Sequence, residues 1–170
     1  MNDVAKLLNE MVNESIIRDY AVFGAMAQMR YTDAVATMDA DVLVSVPEPD
    51  RLDVLTPVYD FCRRKGLKLE GETVRVGAWP VQFLPVFNEL TEEALEHAEE
   101  GEIDGVKINV ISADYLAVIA LQTGRAKDFA RIAALNESNA IDLEHIAHIS
   151  ERHSLSAEWR ACKRKYIDAS

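Results

Sequence analysis

The alternation of apolar and polar positions along this chain changes period several times, and each change marks an element. Residues 3–18 place Val4, Leu7, Leu8, Met11, Val12 and Ser15 on one face, the spacing of an amphipathic helix. Residues 20–23 form a short β-like run stopped by Gly24, and residues 25–29 are good helix formers, so a strand is expected to turn sharply into a helix. Residues 41–46 are rich in β-branched side chains and closed by Pro47-Glu48-Pro49, which predicts a buried strand followed by a turn.

A helix is expected over residues 52–64, with Pro57 moving its true start one turn later and Gly66 as C-cap. Residues 68–76 and 81–84 read as two strands around Gly77-Ala78-Trp79-Pro80, and Pro80 points to an edge or first-residue position. Thr91 is expected to cap an acidic helix reaching Glu100 and stopped by Gly101, and residues 106–111 to form the last strand. From Ser112 onward the pattern is helical: a helix to Gln122, a break at Gly124, and further helices over residues 126–135, 141–152 and 157–167, the last with Ser156 as N-cap. This order predicts an α+β architecture, with a mixed β-sheet and flanking helices over residues 1–111 and a C-terminal helical region, residues 112–170, packed on it.

Composition narrows the function classes. At 170 residues and 49% apolar, the chain can bury one proper core. No run approaches the roughly 18 apolar residues of a membrane span. The acidic, helix-like start lacks the zones of a secretory signal, so a cytoplasmic protein with no membrane partner is expected. Cys62 and Cys162, far apart and outside any paired motif, are expected to be free thiols. A net charge of -11 disfavours non-specific binding to nucleic acid or anionic membrane, so a polyanion must be met locally. Arg63-Arg64-Lys65 and residues 160–165 are small basic clusters of the kind that decorate helix ends.

Candidate chemistry lies in residues 23–44, FGAMAQMRYTDAVATMDADVLV. Alternate residues of a strand share a face, so Asp39 and Asp41 would present two carboxylates side by side, hard oxygen ligands suited to Mg²⁺ on a triphosphate. With 29 acids in the chain, about five acidic i, i+2 pairs arise by chance. Position distinguishes this one, at the mouth of a buried strand where two uncompensated charges would be costly. Gly24, at the strand-to-helix turn, would let backbone N–H groups approach a phosphate.

These residues resemble the signature of the nucleotidyltransferase superfamily: a glycine followed by Gly or Ser on a strand-to-helix turn, then Asp-x-Asp leading an apolar strand. The variety most similar is the group of small bacterial nucleotidyltransferase-like proteins that includes abortive-infection toxins, in which a Thr stands where Thr37 does. The segment Trp79-Pro80-Val81-Gln82-Phe83-Leu84-Pro85 resembles the family strand that carries a third acid, and residues 116–128, ending Gly124-Arg125-Ala126-Lys127-Asp128, are similar to the helix-break-helix after the catalytic domain. The resemblance implies a polymerase-beta-like fold, Mg²⁺ held by Asp39 and Asp41, Gln82 in the third catalytic position, and a nucleoside triphosphate met by Gly24, Ala25, Thr37, Arg125 and Lys127.

The departures fall on chemical positions. Ala25 replaces Gly or Ser, keeping the backbone donor and losing a hydroxyl. Val35 and Ala120 stand where an Arg and a Lys are frequent, and Gln82 replaces a carboxylate with an amide that cannot take a proton at neutral pH. Two readings remain open: a Mg²⁺-dependent enzyme passing a nucleoside monophosphate to an acceptor hydroxyl, and an inactive nucleotide-binding or protein-interaction module whose partner protein would be the other half of a toxin–antitoxin or phage-defence pair. For Arg125, Lys127 and Asp128 a helix-terminal ion pair competes with phosphate contact. His145, His148 and His153 are expected on a solvated face, Trp79 and Phe83 in the core, and residues 89–102 as a solvated acidic helix face.

Overall fold

A computed structural model describes residues 1–33, 36–49 and 52–169. The chain divides into two compact units, the first made of Met1–Met26 with Ala36–Ile111 and the second of Ala27–Val35 with Ser112–Ser170.

The first unit is built on seven strands: β1 (Asp19–Phe23), β2 (Ala40–Ser45), β3 (Lys68–Glu70), β4 (Thr73–Val76), β5 (Trp79–Pro85), β6 (Glu99–Ile103) and β7 (Val106–Val110), in the sheet order β3-β4-β5-β2-β1-β7-β6. The sheet is mixed, because β2 runs parallel to β5 and β1 parallel to β7 while the other neighbours are antiparallel. Helices α1 (Asn2–Asn13), α3 (Thr56–Arg64) and α4 (Glu89–Glu96) belong to this unit, and α2 (Gly24–Gln28) follows β1 directly. Together with the helices of the second unit this is the α+β class expected.

The two faces of the sheet differ because the strands alternate. Val42, Val44, Val74, Val76, Val81 and Phe83 point to one face and are at most 3% exposed. On the other face Asp41, Thr73, Arg75, Pro80, Gln82 and Leu84 are half-exposed, while Leu43 is fully buried. Transfer of those apolar side chains out of water, worth about 1.5–3 kcal/mol each, holds the register that sets the polar residues in line.

Several expectations are corrected. The first helix ends at Asn13 rather than reaching residue 18, because Ser15 turns left-handed (φ 57) and the Ile16 N–H bonds back to the Met11 carbonyl at 2.9 Å. Ile17 continues the apolar pattern as a buried residue of the lead into β1. The strand expected over residues 68–76 is a hairpin, β3 and β4. Pro80 sits in an interior strand, opposite Arg75 of β4 and one residue before the pairing of β5 with β2 begins at Val81.

Asn88, not Thr91, caps α4, its Oδ1 accepting the Thr91 N–H at 2.8 Å while Thr91 Oγ1 accepts the Asn88 N–H at 3.2 Å. That helix stops at Glu96, and part of the acidic run becomes β6, joined to β7 through Asp104-Gly105, both at positive φ. β6 is an edge strand, and Glu99, Glu100 and Glu102 there discourage pairing with another chain.

In the second unit α5 (Ala113–Thr123) is the central helix, buried from Tyr115 through Leu121, and α6 (Ala126–Glu137), α7 (Leu143–Arg152) and α8 (Ser156–Tyr166) pack with it. Leu155, not Ser156, stands at the N-cap of α8, with Ser156 its first helical residue. Both cysteines are free and buried, and burial pushes the Cys62 thiol up to about 11. Among the described residues no helix is long and apolar enough to cross a membrane.

One buried carboxylate organises this unit. Asp128, 1% exposed, accepts from Arg125 Nε at 2.7 Å and from the Arg125 backbone N–H at 3.2 Å, and lies 3.6 Å from Arg131 Nη1. Arg131 Nε in turn donates to Gln28 Oε1 at 3.1 Å. Burial would raise the Asp128 carboxyl, but the hydrogen bonds from Arg125 and the charges of Arg125 and Arg131 outweigh it and hold the group below the usual carboxylate range. A carboxyl depressed in the folded state contributes stability in full above its unfolded value of about 3.9, and loses it as pH falls through the lower folded value. Asp128→Asn is therefore expected to cost about 2 kcal/mol in urea unfolding at pH 7, with the gap to wild type shrinking below about pH 4.

Candidate active site

The site assembles from the ends of strands inside the first unit. Asp41 is the second residue of β2, paired with Phe23 at the end of β1 on one side and with Gln82 of β5 on the other. Gln82 pairs onward with Thr73 of β4, and Thr73 with Glu70 of β3. Directly paired residues share a face, so Phe23, Asp41, Gln82, Thr73 and Glu70 form one row across five strands on the open side of the sheet.

At the β1 end of this row the chain turns into α2 through Gly24, which takes φ +67. A Cβ on Gly24 would lie 2.6 Å from Asp41 Oδ2, well inside van der Waals contact. The left-handed backbone favours glycine there, and a Cβ would in addition push the Asp41 carboxylate aside. Ala25 follows in α2, half-exposed.

Asp39 lies one residue before β2 and is exposed. Thr37 Oγ1 donates to the Asp39 carbonyl at 3.0 Å and lies 3.4 Å from its Oδ1, so Thr37 serves to shape the approach to the strand. Gly24, Thr37, Asp39, Asp41 and Gln82 all belong to the first unit.

Arg125 and Lys127 stand in the second. Lys127 is exposed, whereas Arg125 is the N-cap of α6 and makes the reciprocal bonds with Asp128 described above. The carboxylate of Asp128 already occupies the start of that helix, the place a phosphate was expected to take. Ala120 is 1% exposed within α5, so that position is core. Val35 lies outside the described residues. His145 holds its Nδ1 2.7 Å from Asp114 Oδ2, and Asp114 Oδ1 accepts the Asp142 N–H at 2.8 Å, so this histidine ties α7 to the start of α5.

Among the described residues no three His, Cys, Asp or Glu side chains are grouped to hold a metal. The oxygen donors in the row are the carboxylates of Asp41 and Glu70, the amide of Gln82 and the hydroxyl of Thr73, with Asp39 exposed one residue before β2. Thr73, Glu70 and Arg75 also reach the open face. No motif marks them, although alternation of Lys68, Glu70, Thr73 and Arg75 with the apolar Leu69, Val74 and Val76 is readable once the hairpin at Gly71 is placed.

No known family profile matches the sequence, and no curated protein resembles it significantly. Solved structures do. An antigenic nucleotidyltransferase-like protein from Paracoccidioides brasiliensis superposes with a TM-score of 0.55 at 15% identity, over 93% of this chain and 91% of that one. The antibiotic-resistance factor ANT(2'')-Ia superposes in solution with a TM-score of 0.54 at 11% identity, over 96% of this chain and 95% of that one. Its crystal structure with adenylyl-2''-tobramycin gives 0.52 at 12% identity, over 93% and 95%. The chain has the nucleotidyltransferase fold. At such identities the shared property is the fold, and the chemistry of this nucleotidyltransferase-fold chain has to be argued from its own residues.

The contact between Gly24 and Asp41 is directly measurable. Gly66→Ala meets open space at φ +73 and should cost about 1 kcal/mol, whereas Gly24→Ala must also displace the Asp41 carboxylate and should cost about 2 kcal/mol in urea unfolding. Adding Asp41→Ala to Gly24→Ala should recover roughly half of that loss, because the clashing oxygen is gone.

Proposed function

We propose that this chain is a Mg²⁺-dependent nucleotidyltransferase that passes a nucleoside monophosphate from a nucleoside triphosphate to an acceptor hydroxyl, slowed by an amide in place of its base. The observation that carries the reading is Asp41, pressed against the Gly24 turn on one side and level with Gln82 on the other, on the open face of the sheet.

Two carboxylates meet the requirement of Mg²⁺, which takes one or two protein carboxylates beside substrate phosphates. Asp39 and Asp41 would hold the ion, and bound there it supplies neutralisation of charge on the triphosphate. The backbone at Gly24 and Ala25 orients the phosphates beside Asp41. Gln82 faces the acceptor side of the row, where its carbonyl oxygen accepts a hydrogen bond from the hydroxyl but cannot remove its proton, which leaves to water instead. The adenylylated tobramycin bound to ANT(2'')-Ia supports a nucleotidyl group joined to a small acceptor as the product class.

Gln82 itself favours a second reading, in which the chain binds nucleotide without turnover and acts on a partner protein. Pyrophosphate release with Mg²⁺ and each triphosphate separates the two. Gln82→Asp should raise turnover by about 10²–10⁴, and Asp39→Asn or Asp41→Asn should remove both turnover and Mg²⁺-dependent triphosphate binding. Binding without turnover in wild type and Gln82→Asp alike would favour the binding module, and absence of Mg²⁺-dependent binding in wild type would overturn both.

A further inference from the structure

The open face of the sheet carries a cationic element that neither reading uses. On the β3–β4 hairpin Arg75 pairs with Lys68, and across β4 it pairs with Pro80 of β5. Residues two apart on a strand point the same way, so Arg75 shares its face with Thr73, Gln82 and Asp41. Its guanidinium is held from two directions: Nη1 donates to the Ala78 carbonyl at 3.2 Å and Nη2 to Glu70 Oε2 at 3.1 Å. Lys68 Nζ lies 3.0 Å from the other Glu70 oxygen. Hydrogen bonds from Lys68 and then Arg75 hold the Glu70 carboxyl below its ordinary range.

The Arg75 side chain is 41% exposed, so a guanidinium fixed on one side still turns donors to solvent. Lys68 and Arg75 against Glu70 leave a surplus of one positive charge, on a chain whose net charge is -11. A planar guanidinium with part of its donor set pinned is pre-organised for phosphate, because little side-chain freedom remains to be lost on binding.

The order across the sheet gives this element its place: the Gly24 turn after β1, Asp41 on β2, Gln82 on β5, Arg75 on β4. Two inter-strand spacings of about 4.8 Å separate β2 from β4, roughly 10 Å. That exceeds the screening length of about 8 Å at physiological salt, so the carboxylates of Asp39 and Asp41 do not cancel the pull of Arg75 on an anion.

We propose that Arg75, braced by Glu70 and Ala78, binds a phosphate group carried by the acceptor next to its reacting hydroxyl. The assignment rests on the nucleotidyl-transfer reading: with the triphosphate on the Gly24 side of Asp41, an acceptor comes over Gln82 and meets Arg75 next. A polyamine acceptor would meet Lys68 and Arg75 as like charges and is disfavoured.

The test is a titration of the full chain with glycerol 3-phosphate, followed through the backbone amide resonances of Thr73 and Gln82. Wild type should show a saturable shift. Arg75→Gln should weaken it about tenfold, and Arg75→Lys should restore only part, since it keeps the charge and loses the fork. Glu70→Gln, which releases the guanidinium from its competing carboxylate, should tighten binding about two- to fivefold, an outcome a purely hairpin-stabilising ion pair would not produce.

Failure of Mg²⁺-dependent triphosphate binding would sink the transfer reading while leaving this titration intact. A parallel titration with a short single-stranded RNA separates the sources of the phosphate. Tighter RNA binding that is lost in Arg75→Gln points to a nucleic-acid end, and equal affinity to a small phosphorylated molecule; both support the site. No saturable shift with either probe, or affinity unchanged in Arg75→Gln and Glu70→Gln, overturns it.

Discussion

A carboxylate oxygen resting against a backbone with no Cβ is the contact on which the architecture of the first unit turns. Asp41 holds its carboxylate where it is because residue 24 has no Cβ, and Gly24 takes its left-handed turn where β1 ends, opposite Asp41. The contact therefore couples three things that sequence treats separately: the length of β1, the β1–β2 register, and the point at which α2 begins. A slip of one residue in that register would move Asp41 to the buried face, where an unpaired charge costs several kcal/mol.

The sheet then acts as a ruler. One face is apolar throughout and fixes the register, and the other, itself packed at Ala21 and Leu43, carries the polar row at the same spacing. Phe23, Asp41, Gln82, Thr73 and Glu70 come into line because their neighbours are driven out of water. This division lets the polar row vary in chemistry, including the amide at Gln82, while the fold is retained.

Much of this organisation is legible in the sequence where a physical signal is local. The strand-to-helix turn at Gly24, the inner strand at β2, the Pro57 start of α3, and the breaks between the C-terminal helices follow from glycine, proline and apolar period, while α3 is capped by Lys65 with the left-handed Gly66 after it rather than by Gly66 itself. What escapes is structure held by pairing rather than by burial. β6 is mostly glutamate and reads as helix, since its stability comes from hydrogen bonding to β7, and only Asp104-Gly105 betrays the hairpin. Pro80 misleads because its tolerance depends on where the β2 ladder starts, which no single segment encodes. In the site, the spacing predicts a common face for Asp39 and Asp41, of which Asp41 lies in β2 and Asp39 just before it, and the family strand points to Gln82. The bond between Arg125 and Asp128, and the place of Arg75 in the row's neighbourhood, require the partners to be seen.

The parallel neighbour of β1 has a temporal consequence. β1 is closed on one side by β2 but on the other by β7, through Val22 and Val110. During synthesis the inner edge of β1 must wait, exposed, until the chain has grown past residue 110, well after the site-bearing strands have left the ribosome. Closure against β2 leaves that edge uncovered, and the Tyr20 hydroxyl bonded to Asn9 of α1 tethers the strand meanwhile, so this stretch stands to gain from a chaperone.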